Sequence, residues 1–284
     1  MLYFIQRVCS SFPLIILQFI GAGIGLVIYL VSPKYRNRLR TNLYNAALVS
    51  DFKPSPLRAA CEAGMMFADM LWIWRHPKGV ILKITVDDWK QFSDLASNGK
   101  GLIILSTHMG GFEIIPRIFS QGIRTTVMYK PARKNWVNDL MVKSRLHSGV
   151  DFVEANLGGV RKIKRALKNG EVVGILADQV PSVADGVWAK FFNQYAYTTS
   201  FPFKLTRLND VSTIFMSAER LSYGRGWFVK TKVMARTLSS SSSLAAATQM
   251  NDYFEQQILS KPNQYMWSYN RYKRPVGADL APIG

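Results

Sequence analysis

The chain has 284 residues, enough for one substantial core or one domain with a small appendage, and its 48% hydrophobic content excludes wholesale disorder. Its net charge of +18 favours an anionic partner, which could be nucleic acid, anionic lipid or an acidic protein. The two cysteines lack motif spacing and the three histidines lie far apart, which argues against a disulfide framework, a zinc site and metal catalysis.

The first predicted element is a membrane anchor. Residues 12–31 form an uncharged apolar run, long enough to cross the hydrocarbon core of a bilayer. A basic cluster follows, which should stay on the cytoplasmic side and meet anionic head groups: Lys34, Arg36, Arg38 and Arg40. No small-x-small cleavage site follows, so a secretory signal peptide is disfavoured. We predict that residues 1–32 anchor the chain in the inner membrane. A half-inserted interfacial hairpin stays open, because Gly21, Gly23 and Gly25 could bend the segment.

Two helices are predicted next, over residues 35–47 and 57–74. The first is basic and amphipathic, and the second carries an apolar and aromatic band that includes Met66, Phe67 and Met70. Core packing is the ordinary explanation of such a band. A surface that faces the membrane or an acyl chain is the alternative.

The central motif follows a short buried strand predicted over residues 102–105. His108 comes directly after that strand, Gly110 and Gly111 make a turn, and Glu113 falls in the first turn of a new helix. Sites in open α/β sheets gather at the carboxyl ends of strands. With no serine or cysteine nucleophile nearby, a His–carboxylate pair indicates a general base acting on a hydroxyl. The glycines and the helix N-terminus could stabilise an oxyanion. A purely structural histidine is the competing interpretation.

Further strand ends converge on the same edge of the predicted sheet. Strand 125–129 is followed by Lys130, whose ammonium group could bind phosphate or an oxyanion, although without the bidentate geometry of arginine. Strand 171–177 ends at Asp178 and Gln179, which would orient the site or the acceptor, or else cap a buried turn. Helix 135–148 carries Arg145 and His147, the latter a predicted surface residue.

The remaining elements complete an α/β pattern. A short strand is predicted over residues 151–155 and a strongly basic helix over 159–168. This basic helix is either a solvated face or a docking surface for an acidic protein or for head-group phosphates. A loop over 180–199 precedes a helix at 201–208, strands at 213–221 and 227–235, a serine run at 239–243 and a helix at 244–259. The basic-aromatic C-terminal segment could stack on nucleic-acid bases.

The motif His108-Met-Gly-Gly-Phe-Glu113 resembles the His–x4–Asp/Glu motif of the glycerolipid acyltransferase superfamily. It is most similar to the lipid A late-acyltransferase branch, which includes the Kdo2-lipid IVA lauroyl and myristoyl transferases. Tyr-Lys-Pro at Lys130, the Asp178-Gln179 pair and the closing Gln-Tyr-Met-Trp segment also resemble that family, so the likeness spans about residues 35–275. The chain departs from the pattern at Gly111, often Asn there, at Phe112, often Trp, and at Lys130, usually Arg.

The resemblance implies a mixed, largely parallel sheet flanked by helices, with an acyltransferase domain over residues 33–284. It implies transfer of a fatty acyl chain from acyl carrier protein to a hydroxyl of a lipid A precursor, without an acyl-enzyme. His108 would act as the base and Glu113 would hold its ring. Lys130 or Arg145 and backbone N–H groups near Gly110 would steady the oxyanion. The expectation includes no metal, no organic cofactor and no nucleic acid.

Three other interpretations stay open. Within the same enzyme class, the acceptor could be a phospholipid, an ornithine lipid or another glycolipid. A basic nucleic-acid-binding protein would use the charge but would need neither an anchor nor a buried His–Glu strand end. A non-catalytic membrane-associated scaffold would keep the fold and tolerate loss of His108.

Overall fold

The structure is a computed structural model that describes residues 11–119, 122–132, 134–145, 150–207, 211–234 and 242–282. The prediction for His147 lies outside these residues. So do the first ten residues of the predicted anchor, the end of helix 135–148 and most of the serine run.

Helices and strands alternate along most of the described chain. The helices are α1 Leu14–Val31, α2 Pro33–Leu48, α3 Pro56–Arg75, α4 Trp89–Ser97, α5 Ile115–Phe119, α6 Asn135–Arg145, α7 Leu157–Lys168, α8 Phe201–Thr206 and α9 Ser243–Ser260. The strands are β1 Ile84–Val86, β2 Leu102–Ser106, β3 Thr125–Tyr129, β4 Asp151–Glu154, β5 Val172–Leu176, β6 Gly186–Phe191, β7 Gln194–Thr199, β8 Ser212–Arg220 and β9 Trp227–Val233. A 3-10 turn, Phe112–Ile114, leads into α5.

Seven strands form one sheet in the order β1-β9-β8-β2-β5-β3-β4. The five strands from β8 to β4 run parallel to one another, and the β8–β9 pair is antiparallel. The predicted α/β fold with a largely parallel sheet flanked by helices is confirmed. Because β2, β5 and β3 are neighbours and parallel, the residues that follow them meet at one edge of the sheet.

A buried apolar layer covers each face of this sheet. On one face, α3, α4 and α5 pack on Ile104 and Val127. On the other, α7 and α9 pack with the β6–β7 hairpin and the C-terminal segment. The alternating buried strands explain this division, since successive side chains of a strand point to opposite faces.

Helix α1 is long and apolar enough to cross a membrane, and one side of it lies against α3. The contact is backbone to backbone: a Cβ on Gly25 would lie 2.2 Å from the Ala60 carbonyl oxygen, and one on Gly64 would lie 1.9 Å from that of Gly21. Small residues allow such close helix approach. Gln18 donates to Asp69 across the contact at 2.8 Å. The opposite side of α1, which includes Phe19, Ile24 and Val27, is exposed.

The loop predicted over residues 180–199 is wrong in part, because β6 and β7 form an antiparallel hairpin there. Its two-residue turn is Phe192-Asn193, and both residues have positive φ, of 47° and 57°. Such turns match the twist of the strands but usually carry Gly, and without a Gly here the hairpin was not predicted. Arg271 is buried and donates to the Tyr197 carbonyl at 2.8 Å, so this cation of the C-terminal segment secures the hairpin.

Candidate active site

His108 is held by the buried carboxylate of Asp178. Ser106 of β2 lies in register with Leu176 of β5, so the residues two positions further along each strand come together at the sheet edge. The Asp178 carboxylate accepts from the His108 ring at Nδ1, 2.8 Å away, and from the His108 backbone N–H at 3.0 Å. One carboxylate therefore holds both the ring and the backbone of His108.

This arrangement sets the protonation pattern of the ring. With Nδ1–H donating to Asp178, the lone pair is on Nε2, where the Gln179 side-chain nitrogen donates at 3.3 Å. Burial acts to raise the pKa of the Asp178 carboxyl. The His108 charge and hydrogen bonds and the nearby Arg271 outweigh it, so this pKa is lowered. Asp178 is thus ionised and ready to stabilise an imidazolium.

Glu113, predicted to hold the imidazole, makes different contacts. It forms an ion pair with Arg145 and accepts from the Trp74 indole N–H at 2.9 Å. Burial acts to raise its pKa, but Arg145, the Trp74 hydrogen bond and Arg117 outweigh it and lower the pKa. The physical reason for the difference is that the 3-10 turn directs Glu113 towards α3 and α6, and Phe112 lies against the imidazole, with ring centroids 4.9 Å apart.

The two glycines serve packing in this structure. The Gly110 N–H donates to the Gln264 carbonyl at 3.0 Å, and the Gly111 N–H donates to the Ala218 carbonyl at 2.9 Å. Both N–H groups are therefore occupied in this structure, and a role of Gly110 and Gly111 at an oxyanion stays a prediction. Gly110 has φ +52°, and a Cβ on Gly111 would lie 2.2 Å from the Trp227 ring. The backbone conformation and the indole leave room only for glycine.

The predicted cations differ sharply in their surroundings. Lys130 is exposed and lines the cavity described below. Arg145 is buried, paired with Glu113, and lies 4.9 Å from the centroid of Phe152 in a cation–π contact. Two further cavity-lining lysines, Lys164 and Lys204, were not singled out from the sequence. The run of basic residues in α7 was the feature of the sequence that could have pointed to Lys164.

A largely apolar cavity of about 830 Å³ opens at His108 and Gln179. Its lining includes residues from both faces of the sheet. The apolar arm, on the α3–α5 face, is lined by Met66, Met70, Ile104, Phe119, Val127 and Gly174. The polar side is lined by Lys130, Asn156, Lys164, Asp185 and Lys204. Such a cavity suits a substrate with a long apolar chain and a charged or polar end.

Fold and site together define an α/β protein with a carboxylate-supported imidazole at the mouth of a lipid-sized cavity, able to deprotonate a substrate hydroxyl. A family model described as bacterial lipid A biosynthesis acyltransferase matches residues 2–274, so the chain belongs to this family. It is an acyltransferase, and members of the family are inner-membrane proteins.

Individual relatives agree with this assignment. The chain is 24% identical over 213 residues to a lipid A biosynthesis palmitoleoyltransferase of Escherichia coli, covering 73% of this chain and 67% of the relative. It is 25% identical over 217 residues to the lauroyltransferase of the same organism, covering 75% and 70%. A lipid A biosynthesis acyltransferase of Shigella flexneri is 24% identical over 213 residues, covering 73% and 67%.

Proposed function

We propose that this protein transfers a fatty acyl chain from the thioester of acyl carrier protein to a hydroxyl of a lipid A precursor. The observation that carries the proposal is the His108–Asp178 pair at the mouth of the apolar cavity. An imidazole in this position can take the proton of an acceptor hydroxyl, and the apolar arm can hold the acyl chain of the donor. Family membership supports the acceptor class.

In the proposed mechanism, Nε2 of His108 takes the hydroxyl proton after the acceptor displaces the Gln179 amide from it. The alkoxide attacks the thioester carbonyl carbon directly, and the tetrahedral intermediate collapses by breaking the carbon–sulfur bond. The leaving thiolate takes the proton back from the imidazolium, so no acyl-enzyme forms and the base is regenerated. Asp178 stabilises the imidazolium throughout.

Lys130 is the predicted cation best suited to steady the oxyanion or bind an acceptor phosphate, because it is exposed at the cavity. Arg145 and Glu113 neutralise each other inside the protein. We therefore propose that Glu113 acts through Arg145, holding its guanidinium in the cavity wall, and that Gln179 orients the acceptor.

The proposed donor and membrane orientation rest on charge. Helix α7 exposes five cations, and none of them has a carboxylate within ion-pair distance among the described residues: Arg161, Lys162, Lys164, Arg165 and Lys168. This face complements an acidic carrier protein. The basic α2, directly after α1, complements anionic lipid. We infer that residues 1–32 anchor the acyltransferase domain, residues 33–284, on the cytoplasmic side of the inner membrane.

The test is mass spectrometry of membrane lipids from cells carrying the wild-type chain, His108→Ala, His76→Ala or no gene. His76 is the matched control, because it caps α3, its Nδ1 lies 3.0 Å from the Trp72 carbonyl oxygen, and it does not line the cavity. We expect one lipid to gain a single acyl mass with wild type and His76→Ala only. The mass of that lipid identifies the acceptor, including a phospholipid, an ornithine lipid or another glycolipid. Acylation that persists in His108→Ala would contradict the proposed base.

A further inference from the structure

We propose that Gly174 sets the depth of the apolar arm and thereby the length of acyl chain that the enzyme prefers. This inference rests on the proposed function. Gly174 lies in the middle of β5, a central strand of the sheet, and lines the cavity.

Gly174 belongs to a row of three residues that forms the floor of the arm. In the sheet register, Ile104 of β2 and Val127 of β3 both pair with it. Residues in register on parallel strands point to the same face, and both neighbours belong to the core layer under α3 and α5. All three line the cavity. The absent side chain is therefore a gap between two branched side chains.

Backbone geometry does not explain this glycine. Its φ is outside the positive range that favours glycine, unlike that of Gly110. The three atoms nearest to a Cβ at Gly174 all belong to the Val127 side chain, the closest at 3.1 Å, so that side chain would have to shift by a few tenths of an ångström, whereas a Cβ at Gly110 would lie 2.1 Å from a backbone carbonyl oxygen. Glycine inside a strand weakens the strand and often marks a close approach by a ligand. The space itself is the remaining reason for the residue.

The position of the row gives a length. Gly174 precedes Asp178 by four residues, and Ile104 precedes His108 by the same number. Four residues of strand span about 13 Å. A zigzag chain of 1.52 Å carbon–carbon bonds advances about 1.25 Å per bond, so roughly ten carbons fit between the imidazole and the floor. The arm thus suits a medium-length acyl chain.

The experiment measures acyl transfer by the whole chain to the lipid acceptor that the mass-spectrometric test identifies. The donors are acyl carrier proteins loaded with saturated chains of increasing length. Gly174→Val adds three carbon atoms to the floor, so we expect the preferred length to fall by about two carbons. Chains that no longer fit should lose about fourfold in kcat/KM for each methylene excluded. Val127→Ala, which lowers the floor, should shift the preference towards longer chains.

The control is Val173→Ala, since Val173 faces the opposite core layer and does not line the cavity. It should lower stability without changing the length profile. If Gly174→Val fails to fold, Gly174→Ala provides a smaller shift in the same direction. If the chain-length profile is unchanged both in a folded Gly174 variant and in Val127→Ala, the inference is overturned. Absence of transfer by the wild type from any donor would instead reject the proposed function.

Discussion

Replacing Asp178 by asparagine tests the centre of the site with almost no change in shape. Both carboxylate oxygens accept hydrogen bonds from His108, one from the ring and one from the backbone N–H. Asparagine has only one acceptor oxygen, so its NH2 group must face one of these two positions. If it faces the ring, Nδ1 must become the acceptor and the proton moves to Nε2. The imidazole then cannot take a proton from the substrate.

The expected loss follows from these contacts. A hydrogen bond to a charged group contributes about 1.5–3 kcal/mol, which corresponds to roughly 10–150-fold in rate when the imidazolium loses it. The change of tautomer adds to this, and asparagine in the equivalent place of a Ser-His-Asp triad lowers kcat by about 10⁴-fold. We expect Asp178→Asn to lower kcat by about 10²–10⁴-fold with little change in KM.

The assay is steady-state acyl transfer with purified protein, and thermal unfolding shows that the variant keeps its fold. Glu113→Gln is the matched comparison, because it also removes one charge from a buried carboxylate near the site. Near-normal turnover of folded Asp178→Asn, with turnover lost in Glu113→Gln, would refute the reasoning. It would return the supporting role to Glu113, as the sequence motif predicted.

Three further predictions concern neighbouring residues. Glu113→Gln breaks a buried ion pair and should cost about 3–5 kcal/mol at pH 7. Because the pKa of Glu113 is lowered, this stabilisation is present above the unfolded pKa of about 4.3 and is lost as pH falls through the folded pKa. The difference in free energy of unfolding between wild type and variant, measured with urea, should therefore be smaller at pH 3 than at pH 7. An equal difference at both pH values would contradict the pairing. Gly111→Asn forces a side chain onto Trp227. Such overpacking should lower the free energy of unfolding by about 1–3 kcal/mol and the melting temperature by roughly 2–12 °C. An unchanged melting temperature would show that the indole moves freely. Lys130→Ala should raise KM for an anionic acceptor much more than it lowers kcat, an effect that weakens with added salt; equal KM values would exclude Lys130 from acceptor binding.

The sheet was predictable because its strands have a strong local signal. Residues 102–105 and 172–177 carry no polar side chain, and each run is followed by polar residues. Parallel neighbours then bring His108 and Asp178 to one edge, which the sequence also predicted. The hairpin over β6 and β7 was missed because its turn lacks glycine, and the short β1 because three residues carry too little pattern.

The partners inside the site were not predictable from spacing. A separation of five residues suggested Glu113 beside His108, but the direction of a side chain after a glycine turn depends on what surrounds it. Here Trp74 and Arg145, distant in sequence, hold Glu113, while the strand register delivers Asp178 to the imidazole. Register is a long-range property, so it emerges only from the assembled sheet.

The close contact between α1 and α3 has a consequence for preparing this enzyme. Deleting the apolar helix to gain solubility would uncover the groove at Ala60 and Gly64 and leave Asp69 without the Gln18 amide. The same helix α3 carries Met66 and Met70, which form part of the cavity wall. A truncated chain would therefore lose a support of the cavity wall, and detergent extraction of the chain with α1 retained is the sounder preparation.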